Sequence, residues 1–271
     1  MSRIVLLALL AAGDLLAAND AEVLSQTVNA LARTNLPAAI AFADKAVAAS
    51  PSNALPWSLR ARLFDRARRY GEAVRDFSAA LQMASNSVAL WQGRGEANFK
   101  AGKFQESVAD FDRVIEMSPG QAPHHWQRGI ALYYARRFSD GRKQFELHRS
   151  VNPNDVENSA WHFLCAARES SVTNARTSML PVGPDARVPM KEIDALYRGT
   201  GTVENVLASA RESRSRGALF YAHLYLGLYY EAFSDAARTR EHITAAARDP
   251  DSEHYMGDVA RVHLRTLTAA R

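Results

Sequence analysis

A step of 34 residues governs this chain. Trp57 and Trp91 stand one step apart, and so do Gly95 and Gly129. Tyr70, Phe104 and Phe138 form a third column, and Phe77, Phe111 and Phe145 a fourth. Pro51, Ser85, Pro119 and Pro153 close each unit at the same step. Five columns in one register identify an internal repeat, and a period of this length belongs to stacked supersecondary units. Between the columns the sequence is rich in helix formers, and β-branched residues never gather in alternating runs, so the units are helical hairpins and the fold is all-α. One hairpin cannot cover its own apolar face; the next hairpin buries it, and stability accrues between neighbours. The small residues at Gly95 and Gly129 let two helix axes approach, and the large rings fill the wedge beside them. Proline cannot continue a helix and so punctuates the repeat.

The period and the residue types resemble the tetratricopeptide repeat, with units at about 20–53, 54–87, 88–121 and 122–155. The first is degenerate, carrying Val23 and Leu36 where the aromatics belong, and the fourth has its tryptophan displaced by one place, to Trp126. The resemblance implies a right-handed superhelix. Beyond residue 155 the register loosens. VENSAWHFLCAARES predicts a helix with Trp161, Leu164 and Cys165 on one side, and SVTNARTSML a shorter partner. A loop with three prolines and a glycine, residues 181–189, interrupts the array. Two short helices precede a final hairpin from residue 217, in which Gly227 is the small residue and Pro250 the stop, and a capping helix ends the chain. In layout the chain resembles the NlpI type of bacterial cell-envelope repeat protein, whose likeness here is carried mainly by LFYAHLYLGLYYEAFSDAARTREHI. That resemblance implies partners among envelope hydrolases or proteases, and a homodimer.

The first residues, MSRIVLLALLAAGDLLAAND, place Arg3 before an apolar run and small residues before Asp14. Residues 1–18 thus have the form of a cleaved export signal, too short in its apolar part to span a bilayer. A first helix packed on the core is the other reading. No cysteine follows the run to carry lipid, so the expected product is periplasmic or secreted; with an uncleaved helix it is cytoplasmic. The net charge is +4, and the densest basic stretch, residues 60–75, is interrupted by Asp65 and Glu72, so nucleic acid is not an expected partner. No transmembrane helix is expected.

Catalytic templates are missing from the sequence: it has no nucleophile elbow, no zinc-protease helix and no phosphate-cradling loop. His162 and Cys165 could supply half a zinc site with His148 nearby, but a second pair of ligands is lacking. No cofactor or metal is expected, and the chain reads as a non-enzymatic adaptor rather than a hydrolase with a site near 181–200. In the resembled family the concave face is lined by the first helix of each hairpin. Those positions are Arg62 and Arg66 in the second unit, Gln92, Glu96 and Phe99 in the third, and Trp126, Ile130, Tyr133 and Tyr134 in the fourth, with Trp161 and Arg168 beyond them. Aromatics beside arginines suit a protein or peptide ligand. The aromatic group could equally close the core against residues 181–215; both readings remain open. Gly93 falls on the same face, where it would leave room for a ligand backbone.

Overall fold

A computed structural model describes residues 18–269, and the expected export signal at 1–18 lies almost wholly outside them. The described residues fold as helices and connecting turns, in two compact units divided after Met117. Among them no helix is long and apolar enough to cross a membrane.

The first unit is three antiparallel hairpins: α1 (Ala18–Thr34) with α2 (Leu36–Ala49), α3 (Ala54–Arg66) with α4 (Tyr70–Met83), and α5 (Val88–Lys100) with α6 (Phe104–Met117). Their boundaries follow from local chemistry. Asn35 and Asn53 cap α2 and α3 by accepting from Ala38 and Leu55 amides, and a proline sits in the first turn of α2. The turn between the helices of a hairpin places one residue in the left-handed region. Gly102 does so at φ +82°, and Arg68 occupies the same place one step earlier at φ +58°. The contact inside a hairpin is close: a Cβ built on Gly95 would lie 2.6 Å from the Phe111 ring. Ser107 donates to the Gly95 carbonyl at 2.8 Å across this approach.

The second unit opens with a 3-10 turn, Pro119–His124, whose two prolines delay the next helix. As a result α7 (Trp126–Tyr134) is short; it pairs with α8 (Phe138–Arg149), and Gly129 meets the Phe145 ring as Gly95 meets Phe111. Next comes α9 (Val156–Glu169), which packs on α8. The sequence implies one apolar side for α9; instead every residue from Asn158 to Ala166 is buried, because α11 (Met190–Arg198) and α13 (Ala218–Ala232) cover its outer side. Tyr197 donates to the Tyr225 carbonyl at 2.8 Å within this layer. Short α10 (Val172–Thr177) and α12 (Val203–Glu212) complete the irregular stretch. The last hairpin joins α13 to α14 (Ala236–Arg248), with Gly227 against Ile243, and α15 (Tyr255–Ala269) lies along α14.

Candidate functional site

The first helices of the second and third hairpins, α3 and α5, frame a shallow depression of about 360 Å³ in the first unit. Arg62 and Asp65 line one side, Gln92 and Glu96 the other, and the Phe77 ring forms part of the lining. Arg62 and Arg66 are exposed; Gln92 and Glu96 are half-buried and joined by a 2.8 Å hydrogen bond from the Gln92 amide. Lys100 is only 6% exposed, and its ammonium donates to Asp65 at 2.7 Å across the two helices. A lysine stays charged at such burial only when it is paired. Two expectations change here. Phe99 is fully buried, tilted against Phe104 at 5.7 Å between ring centroids, and belongs to the core. Gly93 leaves no space for a ligand backbone, because a Cβ there would sit 2.6 Å from the Phe77 ring.

One step further along, the equivalent residues in the second unit are covered by the chain's own C-terminal helices. Tyr133 takes the place of Phe99, is 5% exposed, and donates to Glu231 at 2.6 Å. Tyr134, in the place of Lys100, meets His263 Nδ1 at 2.9 Å. Trp126, in the place of Gln92, is half-buried with its ring edge-on to Tyr255 at 5.1 Å. Ile130 and Trp161 are both 1% exposed, and Trp161 packs edge-on against Tyr133 at 5.4 Å. Ile130, Tyr133 and Trp161 are therefore core residues rather than an open aromatic face, and the cover comes from residues 231–263 instead of 181–215. Burial pushes the phenols of Tyr133 and Tyr134 well above their ordinary range, and the Glu231 charge adds to it. Burial lowers His263. Arg168 stays exposed, with its guanidinium 5.7 Å from the Phe138 ring centre.

The proline-rich loop has another place. Arg187 binds three carboxylates: Asp155 at 2.7 Å, Asp185 at 2.6 Å, and Glu157. This ties the loop to the N-terminal end of α9. Burial opposes the charge on Asp155, yet the nearby His148 and the hydrogen-bonded Arg187 hold its carboxyl below the usual range. Burial raises Glu157, whose second oxygen accepts from Tyr225 at 2.7 Å. The Asp155 carboxylate, 3.8 Å from its Nε2, raises His148, whose Nδ1 lies 2.8 Å from the Pro123 carbonyl and so carries a proton. Beside this network lies a cavity of about 660 Å³, walled by residues of α7, α8, α9, the loop and the segment 254–256.

Sequence reasoning passed over one further column. Arg60, Arg94 and Arg128 are one step apart, and each reaches the residue 16 places on: Asp76 at 2.6 Å, Asp110 at 2.6 Å and Gln144 at 3.0 Å. In the first unit each arginine also reaches 16 places back, Arg60 to Asp44 at 2.9 Å and Arg94 to Ser78 at 3.2 Å. Each also lies over the tryptophan of its own helix, Trp57 or Trp91. These ties lock a first helix to the second helices on both sides of it. The signal was in the sequence, but lone arginines and aspartates read as solvated surface.

Among the described residues no three His, Cys, Asp or Glu side chains are placed to hold an ion. Cys165 is buried against Gly141, which drives its thiol far above the ordinary value, and His162 faces Glu146 at 3.3 Å.

A family model described as tetratricopeptide repeat matches residues 58–122. Among proteins of curated function none matches the chain. Of solved structures, the fold is similar to that of a tetratricopeptide repeat protein from Parabacteroides merdae, with TM-score 0.57 and 14% identity over 92% of this chain and 98% of that one. Looser similarity extends to YrrB, described as a TPR protein with an unusual peptide-binding site, at TM-score 0.42 and 14% identity over 83% and 97% of the two chains. It extends also to pilF of Pseudomonas aeruginosa, at TM-score 0.49 and 12% identity over 93% and 97%. With hairpins stacked at the step the sequence repeats, and with a family match over residues 58–122, the chain has the tetratricopeptide repeat fold.

Proposed function

We propose that this protein is a non-enzymatic adaptor that holds an extended segment of a partner protein across α3 and α5, around Arg62, Arg66, Gln92 and Glu96. One observation carries the reading. The face of α3 and α5 keeps its arginines exposed around a depression, whereas the equivalent face of α7 is filled by Glu231, Tyr255 and His263. Repeat proteins of this kind use such faces for protein and peptide partners. Two exposed guanidinium groups favour a segment that presents a carboxylate, which arginine can engage through paired hydrogen bonds. Export fits residues 1–18, and the likeness to the NlpI type points to partners among envelope hydrolases or proteases and to a homodimer.

The test is a pair of charge reversals. Arg62→Glu and Arg66→Glu should each weaken recovery of the partner that the wild-type protein captures, with far-UV circular dichroism unchanged. Full retention of the partner by both variants contradicts the reading. The N-terminal residue of the native protein tests export separately: an intact Met1 sinks it.

A further inference from the structure

We propose that the cavity of the second unit binds a methylated ammonium ion, held by aromatic rings and by an excess of carboxylate charge. The cavity holds about 660 Å³, a size typical of small-ligand sites. Trp126, Tyr221 and Tyr255 line it. All three are half-buried, so each keeps surface that a ligand can reach. Trp126 and Tyr255 stand nearly perpendicular, with 5.1 Å between ring centroids. Asp155, Glu157 and Arg187 line the same space. Their side chains are 16%, 14% and 45% exposed, so their charges act on whatever enters.

The sign of that charge excludes anions. Arg187 pairs with Asp155, Glu157 and Asp185, three carboxylates to one guanidinium. With His148 protonated as well, the count is three to two. Tyr221 feels the same field: burial, and then the carboxylates, push its phenol up to about 12 against the opposing effect of Arg187. Such a cavity draws in a cation. The hydrogen bonds of the carboxylates decide which cation. Asp155 Oδ1 accepts from Arg187 at 2.7 Å and from the Glu157 amide at 3.1 Å, and its Oδ2 accepts from Asn152 at 3.3 Å. Glu157 Oε1 accepts from Arg187, and its Oε2 from Tyr225 at 2.7 Å. A primary ammonium group brings three donors, and here it would give up water for acceptors that are already engaged. A fully methylated ammonium group keeps the charge without the donors, and it is the cation that aromatic walls hold well. None of these residues lies in the α3–α5 depression, so the two sites stand or fall separately.

The test is titration of the full chain, carrying ¹⁵N-labelled tryptophan, at about pH 8, which favours an ionised Glu157 and a neutral His148. Of the four indole signals, the one lost in Trp126→Phe belongs to Trp126. Choline should shift that signal saturably. Its uncharged analogue, with carbon in place of nitrogen, should bind about tenfold more weakly, and so should ethanolamine, which has the charge but no methyl groups. Glu157→Gln, which keeps the size of the side chain, should weaken choline binding about fivefold with circular dichroism unchanged. If that variant fails to fold, Tyr221→Leu at the half-buried wall should weaken it instead. Acetyl-trimethyllysine-amide identifies the source: binding tighter than choline marks a modified protein side chain, and weaker binding a free small molecule. A Trp126 signal that does not shift saturably overturns the proposal. So does equal binding of choline and either analogue, or undiminished binding by the folded variants.

Discussion

Tyr133 donates its hydroxyl proton to Glu231 at 2.6 Å, across 98 residues of sequence. The bond joins the first helix of the fourth hairpin to the first helix of the last one, and it closes the face that an open array would present. Glu231→Ala should leave the buried Tyr133 hydroxyl without its acceptor and destabilise the protein by roughly 1–3 kcal/mol. Tyr133→Phe should cost less, because the Glu231 carboxylate is partly exposed and can turn to water. The double variant should lose less than the sum, as expected for residues in one hydrogen bond. Urea unfolding of the four proteins checks this, and strict additivity would show that the bond contributes nothing.

Gly95 allows the closest approach inside a hairpin. Gly95→Ala should cost about 1–3 kcal/mol, because the new methyl group lies 2.6 Å from the Phe111 ring, whose own burial leaves it nowhere to move. Gly71→Ala, with nothing within 4 Å of the added carbon and a helical backbone, should be neutral or gain up to about 1 kcal/mol. Thermal unfolding should separate the two. Equal losses would mean that helix packing does not set the small-residue column.

Asp110 is 2% exposed and accepts from Arg94 and from Asn98 at 2.9 Å. Asp110→Ala leaves a half-buried guanidinium and an amide without their acceptor, and should cost about 3–5 kcal/mol. Its counterpart Gln144→Ala removes a neutral partner of Arg128 and should cost about 1–2 kcal/mol. Chemical denaturation monitored by circular dichroism gives the two values. The reverse order would remove the arginine column from the account of stability.

Acidity should act through buried imidazoles. His223 and His242 place their Nδ1 atoms 2.9 Å apart, so one must donate and the other accept, and the two rings cannot both be protonated. Burial lowers both, and it also lowers His162, His254 and His263. A histidine held below its ordinary value contributes stability that is present above about pH 6.5 and lost as pH falls through the folded value. His148 has the opposite sign, since Asp155 raises it and its contribution is lost as pH rises. Five groups against one predict a Tm that falls between pH 7.5 and 5.5, with a shallower fall in His242→Gln. A Tm that is flat or rises on acidification contradicts this.

The repeat was legible in the sequence because its columns are set by size: Gly95 and Gly129 must be small, and Phe111 and Phe145 must be large. The turn column was legible only at Gly102. Arg68, Arg136 and Ser234 hold the same left-handed backbone, but their residue types do not mark a turn. The closed aromatic face was hidden for another reason. Tyr133 pairs with Glu231 and Tyr134 with His263 at separations of 98 and 129 residues, and no period connects those partners. Trp126, Tyr133 and Trp161 have the composition of an interface, but in this chain they meet other parts of the same unit.

The central claim is that a partner lies across α3 and α5. A photo-crosslinking residue at Gln92, in the depression, tests it against the same residue at Arg113, exposed on α6. The account predicts a partner adduct from position 92 and none from position 113, with the adduct lost when Arg62 is reversed to Glu. Adducts of equal yield from both positions, or from position 113 alone, would contradict it.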